Sequence, residues 1–323
     1  MAIGKASDFK IYQEEYFGGM YESIVQNTNA FNGASQGAIT LVAREHRGDY
    51  LKESFMKDIS ALISRRDTTS VAAATDTALT QGENVSVKIA RKIGPIAQTL
   101  DAWRKISRDP REMSFLIGAM VGQKKVQDYL NTALKAAVPA IKAVTANLHD
   151  YSATGTPTHN VMVTGLSKMG DQAARVKVWV MHSKSYFDLV GQALTDKIVN
   201  VADIVIYNGT VATLGRPTIV TDAAALLTTG TPNKYSILGL VDNAITVSES
   251  ETEEIESQII TGLENLVFRI QGEHSFTLGI KGFTWDVTNG GANPDDTAVA
   301  TATNWDKVAS ADKDIAGVAI YVQ

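Results

Sequence analysis

Apolar positions recur at steps of three and four through the middle of the chain, at Leu130, Leu134, Ala137, Ile141, Val144 and Leu148. Asp128, Asn131, Lys135, Lys142 and Thr145 fall between them. This spacing predicts one apolar stripe on a long helix from Asp109 to about His149. Asp109 is a good N-cap, Pro110 occupies the first helical position, where a missing N–H costs nothing, and Glu112 adds a capping-box-like spacing. Such a run is roughly 60 Å long at 1.5 Å per residue, well beyond the common helix of about 11 or 12 residues. The stripe is interrupted at Gly122, Gln123, Lys124 and Lys125, and Pro139 removes an intrahelical hydrogen bond, so a kinked rod or two abutting pieces are expected.

Before the helix the pattern changes. Gln26 to Thr40 (QNTNAFNGASQGAIT) is rich in Asn, Gln, Gly and Ser and reads as an extended arm with little regular structure. Phe55 to Ile63 is apolar; Arg65, Arg66 and Asp67 follow, then a small-residue segment. Val85, Val87 and Ile89 next alternate with Ser86, Lys88 and Ala90, with turn chemistry at Gln81 to Asn84. Residues 60 to 95 are therefore predicted to form a long two-stranded excursion. A lone ribbon is marginal in water, so a neighbouring surface should hold it.

After the helix, a polar break at Ser152 to Asn160 leads into a β-rich half. Val176, Val178 and Val180 alternate with Lys177, Trp179 and Met181, and Ser183 can cap a helix through Tyr186, Leu189, Val190 and Leu194. Further strands are expected at Ile204–Tyr207, Thr218–Thr221, Tyr235–Val241, Leu266–Ile270 and Phe276–Ile280. The helices are few and irregularly placed, which predicts an α+β chain rather than a βαβ series.

With 323 residues and 44% hydrophobic content the chain can bury a substantial core, and its length suggests about two domains. It has no cysteine, which excludes disulfides, thiolate zinc sites and cysteine nucleophiles. No apolar run reaches the roughly 18 residues of a membrane helix. The start, MAIGKASDFKIYQEEYF, lacks the apolar core of a signal peptide, so a soluble protein made in the cytoplasm, without a membrane partner, is expected. A net charge of −5 disfavours a dedicated nucleic-acid binder.

Motifs for chemistry are sparse. GASQG at Gly33 to Gly37 matches G-x-S-x-G and would make Ser35 a nucleophile, but the tract before it is polar rather than a buried strand, which favours a loop. His46, His149, His159, His182 and His274 never fall at metal-ligand spacing, and GLSKMG (Gly165 to Gly170) is not a phosphate-binding loop. No cofactor and no metal site are expected. Glu249, Glu251, Glu253, Glu254 and Glu256 form the densest charge run. It could hold a hard cation, but a solvated helix start with acids at the positive dipole end is favoured. Arg65, Arg66 and Asp67 are either solvated or engaged in ion pairs between subunits.

Taken in order, the polar arm, excursion, long helix and compact α+β part resemble the tailed-bacteriophage major capsid proteins with the Johnson (HK-ninety-seven-type) fold. The resemblance is carried by NVSVKIARKIGPI (Asn84 to Ile96), VKVWVMHSKSYFDLV (Val176 to Val190) and LGRPTIVTD (Leu214 to Asp222). LGIKGFTWD (Leu278 to Asp286), TATNWDKVA (Thr301 to Ala309) and KDIAGV (Lys313 to Val318) resemble one subgroup, the major capsid protein 13-like proteins. The resemblance implies an N-terminal arm over 1–54, an E-loop over 55–105 and a peripheral domain with the spine helix over 106–160. An axial domain over 161–265 and a return to the peripheral domain over 266–323 complete it. It further implies a non-enzymatic shell protein that partners itself as hexamers and pentamers. Such a shell encloses double-stranded DNA without reading its sequence, and is found in the virion after assembly in the host cytoplasm. Separate scaffolding, portal and decoration proteins are partners the resemblance allows. Arg65, Arg66, Asp67, Lys88, Glu251 and Glu254 are the candidate intersubunit contacts. An encapsulin-like nanocompartment shell and a serine hydrolase using Ser35 are the alternatives. No covalent crosslink is expected, and a ladder of multimers on a denaturing gel of mature particles would overturn that.

Overall fold

A computed structural model of the chain describes residues 16–26, 28, 32–33, 35–57, 63, 65–66, 68–73, 76, 78–99, 101, 110–200 and 213–323. The side chains of 110–113, 193–200 and Thr252 are outside that description. So are the expected N-cap Asp109, Asp67 of the excursion, and the strand expected at Ile204–Tyr207.

In chain order the elements are helix α1 (residues 16–26), strands β1 (Ile39–Ala43), β2 (Tyr50–Met56) and β3 (Gln81–Thr99), and the long helix α2 (Pro110–Ala143). Then come β4 (Leu148–Asp150), α3 (His159–Ser167), β5 (Val176–Met181), α4 (Ser183–Asn200), β6 (Thr218–Val220), β7 (Leu227–Thr228) and β8 (Lys234–Val241). The long pair β9 (Ile245–Ile260) and β10 (Val267–Ile280) follows, then β11 (Phe283–Trp285), short helices α5 (Val287–Gly290) and α6 (Asp296–Val299), β12 (Trp305–Lys307) and β13 (Gly317–Val322).

The first sheet has the order β1-β9-β10-β3-β2. Val85, Val87 and Ile89 are buried as their alternation predicts, but β3 is not the arm of a free ribbon. It pairs with β10 from Val87 to Thr99 and is an inner strand, so the chain's own hairpin supplies much of the support expected from a neighbour. The ladder with β2 runs only from Tyr50 to Met56, and Gln81 to Asn84 belong to β3 rather than to a turn. Phe55 stands opposite Gly82, where a Cβ would lie 2.6 Å from the Phe55 ring, so the absent side chain lets that ring cover the strand. The two strands expected at Leu266–Ile270 and Phe276–Ile280 are one strand, β10, with irregular register around Gly272 and His274.

The acidic run is not a helix start. Glu249 to Glu256 lie in β9, where alternate positions meet β10 along its length, and cross-strand pairing overrides the local charge signal.

Strands β1 and β2 sit on opposite edges of this sheet, so residues 44–49 cross its face as a strap. Arg44 and His46 donate their amides to the carbonyls of Glu249 and Ser250, and Lys88 donates to the carbonyl of Asp49. Ser248, Ser250, Ser275 and Thr277 are buried in that sheet, and their small side chains permit the strap's close approach.

The N-terminal arm also departs from expectation, since residues 16–26 form a helix docked on α2 of the same chain. Tyr16, Met20 and Ile24 recur at helical spacing and meet Ile117, Val121, Ile255 and Ile270. Close crossing depends on glycine: a Cβ at Gly118 would lie 2.1 Å from the Tyr16 carbonyl, and one at Gly122 would lie 2.8 Å from that of Met20. Gly118→Leu is expected to release α1, at a cost of about 1–3 kcal/mol. Limited proteolysis should then cut near residues 16–34 while the rest of the chain stays resistant; an unchanged cleavage pattern would contradict the docking.

Helix α2 runs 34 residues, with Pro139 inside it, and ends at Ala143 rather than near His149. Val144 is extended (φ −85°, ψ 93°), and Leu148 and His149 are taken into β4, which pairs in parallel with β13. The buried Asn147 fixes this exit by donating to the carbonyls of Asp312 (2.8 Å) and Gly317 (2.9 Å).

The second sheet has the order β4-β13-β8-β5-β6, with β7 on β8. Strand β5 does not alternate: Trp179 and Met181 are as buried as Val178 and Val180, because both faces of the sheet are covered. The entry to β6 is held by Arg216, whose guanidinium donates to the carbonyls of Val176 (2.8 Å) and Ala173 (3.0 Å), after Leu214 and Gly215 turn the chain at φ 56° and 73°. The sheets cross the expected domain lines: β9 joins the sheet of β3, and the C-terminal β13 joins that of β5 and β8. Ala133, Ala136, Ala137, Ala140 and Ile141 of α2 share the main core with β13, β8 and β5, while its first half packs beside Ile255 and Ile270 of β9 and β10.

Candidate functional site

Where α2 crosses the first sheet the contact turns from apolar to ionic. Lys125, in the interruption of the stripe, has a side chain only 2% exposed and bonds Glu253 (3.0 Å) and Glu249 of β9. One turn on, the Tyr129 hydroxyl donates to Glu249 at 3.4 Å, and its ring packs on Phe276 of β10 at 4.7 Å. Arg91 of β3 reaches Asp128 (3.0 Å) and Thr132 (3.0 Å) on α2 and Asp296 (2.6 Å) on α6. Lys135 closes the chain of contacts on Asp296 at 2.6 Å. Asp295 positions α6 by capping it, accepting from the amide of Ala298. Trp285 and Trp305, edge to face at 4.9 Å, donate to the carbonyls of Gly291 and Val299 on either side of that helix.

Three cations (Arg91, Lys125, Lys135) thus face four carboxylates (Asp128, Glu249, Glu253, Asp296) across the seam. Burial pushes Glu253 above the usual carboxylate range against the pull of Lys125. Burial and the adjacent Glu249 raise Tyr129, so its hydroxyl stays a donor. Burial works to raise Asp296 as well, but its bonds to Lys135 and Arg91 outweigh it and hold the carboxyl low. His274 of β10 lies in the same seam, 5.9 Å from the Tyr129 ring, and burial followed by the charges of Lys125 and Arg91 lowers it to about 4.

The expected contact residues are placed differently from one another. Lys88 and Glu251 pair with each other inside the chain, and Ser275 adds a bond to Glu251 at 2.7 Å. Pairing with Lys88 also holds Glu251 low. Glu254 stands directly opposite Glu273 on β10, an arrangement of like charges that is unfavourable in isolation. Both line a groove of about 830 Å³ with Glu45, Arg47 and Lys92. Arg65 and Arg66 are exposed on the excursion.

Ser35 is fully buried and donates to the carbonyls of Ile39 (3.1 Å) and Asn32 (3.2 Å), so it is a turn residue and not an accessible nucleophile; this removes the basis for the hydrolase reading. His182 sits at the junction of β5 and α4 beside Tyr235, with Asp222 at 3.5 Å. Among the described residues no group of three carboxylates or imidazoles is arranged to hold a metal ion. The arrangement ties one helix to one sheet through charge. Glu249 and Glu253 were legible only as part of the acidic run and His274 only as a histidine without ligand spacing, while Arg91, Asp128 and Asp296 carried no sign of a site. The legible trace was the break at Gly122 to Lys125.

The chain matches the model of the major capsid protein 13-like family over residues 8–319. A search of curated proteins by sequence finds no match. Among solved structures it is similar to the cyanophage Pam1 capsid asymmetric unit, with TM-score 0.54 and 13% identity over 88% of each chain. It is also similar to a chain of Microbacterium phage Oxtober96 (TM-score 0.55, 12% identity, 76% of this chain and 84% of that one). A chain of Mycobacterium phage Cain is a third (TM-score 0.52, 11% identity, 90% and 89%). These likenesses show an α+β architecture of the Johnson type.

Proposed function

The chain belongs to the major capsid protein 13-like family, and from that premise we propose that it builds its shell as hexamers and pentamers around the double-stranded DNA of a tailed phage. As a major capsid protein it is a structural component of the virion. The observation that carries the finer reading is the segment between β2 and β3. The ladder closes where the Lys57 amide meets the Thr80 carbonyl, and Ile63, Val71 and Leu79 beyond it are exposed. Apolar side chains held away from their own core call for a partner, and a closed shell supplies another copy to each subunit.

In this reading the excursion is the E-loop, and the first sheet with α2 is the peripheral domain. The second sheet, including β13, is the axial domain. Arg65 and Arg66 of one copy lie against the Glu254–Glu273 face of the next, where opposite charge offsets the like-charge pair. Assembly is the protein's activity, with no chemical step, and takes place in the host cytoplasm.

Native mass spectrometry of dissociated particles should give masses of six and five chains, and the shells should protect DNA from nuclease. Shells holding a protein cargo instead of DNA would favour a nanocompartment. Reversing both charges (R65E with R66E) should raise the concentration needed for assembly by about 3- to 30-fold, as two partly exposed ion pairs warrant. No shift would remove Arg65 and Arg66 from the interface.

A further inference from the structure

His274 is 8% exposed, and neither of its ring nitrogens has a hydrogen-bond partner among the described residues, which is unusual for a buried imidazole. The groups around it come from every element of the seam and from the strap, whose Glu45, His46 and Arg47 line with it the groove that also holds Lys92, Glu251, Glu254 and Glu273. Helix α2 presents Lys125, Asp128 and Tyr129; β3 presents Arg91, directly opposite His274 in register. Strand β9 presents Glu249 and Glu253 on Lys125, α1 brings Tyr16 toward Glu253, and α6 brings Asp296 to Arg91. Each carboxylate of the seam is engaged by a cation. Among the described residues, Glu253 Oε1 and the Tyr16 hydroxyl are the buried oxygens of the seam without a hydrogen-bond partner.

We propose that His274 is the release pin of a proton-operated latch: a proton taken up on its buried ring frees the first half of α2 from the β9–β10 hairpin, while the second half stays seated. The neutral ring fits the seam as an apolar filler beside Tyr129. A charged ring lies beside Lys125 and Arg91, the two cations that tie α2 to the sheet through Glu249, Glu253 and Asp128. The imidazolium therefore repels the cations of the ion pairs that pin α2. The effect stays local because the halves of α2 lie in separate settings. Val126, Tyr129 and Ala133 to Ile141 sit in the main apolar core, whereas Ile117 and Val121 rest on the satellite cluster of α1, Ile255 and Ile270.

The sign follows from the lowered affinity of the folded state for this proton. A ring at about 4 in the folded chain and 6.5 when released makes the closed state lose ground as pH falls from about 6.5 toward 4. Between pH 7 and pH 4.5 the part of this opening that depends on His274 should rise on the order of 50- to 100-fold, while proton uptake on Glu253, raised by burial, acts in the opposite sense.

Hydrogen exchange by mass spectrometry on assembled full-length particles reads this directly, after correction for the intrinsic pH dependence of exchange. Peptides covering 118–125 should lose protection at pH 4.5 by that factor more in the parent chain than in H274L or H274Q, while those covering 133–141 should not differ. Equal loss in both halves, or H274L and H274Q behaving as the parent chain, would overturn the latch. Exchange of the imidazole C2 proton in the unmodified protein is a second test that needs no variant. A His274 midpoint near 6.5 would also overturn it.

Discussion

Lys125→Met is expected to lower the unfolding free energy by about 3–5 kcal/mol, among the larger costs a single substitution causes. The side chain volume is nearly kept, so the loss is not a packing loss. Glu249 and Glu253 would remain in the seam with no cation in contact, and Glu253, whose side chain is 4% exposed, cannot recover its hydration there. Two further observations separate this cause from simple misfolding. Adding E249Q and E253Q should return most of the stability, because the cost lies in the abandoned charges. The deficit should also shrink as pH falls. Glu253 is already raised by burial, so the folded state binds a proton there more readily than the unfolded one, and removal of Lys125 strengthens that preference. Denaturant melts of the full chain at pH 5 and pH 7 measure all three; a deficit equal at both pH values and unrelieved by the glutamines would contradict the ionic account.

Replacing residues 58–79 by a short glycine-containing turn is expected to abolish closed shells while leaving the subunit folded. The cut lies beyond the last rung of the β2–β3 ladder, where Met56 faces Gln81, and β3 keeps its long pairing with β10. The main core draws on β3, β5, β8, β10, β13 and α2 and loses nothing. What is lost is the segment carrying Arg65, Arg66, Ile63, Val71 and Leu79, and with it the contacts each copy makes beyond itself. Circular dichroism and thermal melting should match the parent chain, and sedimentation should show subunits or small oligomers only. Normal shells from this variant would detach the excursion from assembly.

Much of the architecture was legible because local signals and tertiary pairing agreed. The stripe on α2, the buried Val85, Val87 and Ile89, and the Thr218 and Tyr235 strands are cases where periodicity alone indicates the element. Misreadings arose where a distant segment decided the outcome. The Glu249 to Glu256 run looks like a helix start until β10 pairs with it, and Leu148 and His149 continue the helical stripe until β13 takes them as an edge strand. α1 needed Gly118 and Gly122, which lie about a hundred residues away, and Gly122 read only as an interruption of another helix's stripe. The same interruption held the trace of the seam, since Lys125 disturbs the stripe because it is directed at β9. The seam's pair of Arg91 and Asp296 carries no local mark, because an ion pair across some two hundred residues leaves no spacing to read. Lys88 and Glu251, taken as contacts with a neighbour, satisfy each other in the same way.

The central claim is that this chain closes shells of many copies. Negative-stain electron microscopy combined with sedimentation of the full chain expressed on its own tests it most directly. The account predicts closed icosahedral shells or rings of five and six subunits, sedimenting far above the 34.7 kDa monomer. A monodisperse monomer that stays so as concentration is raised would contradict it.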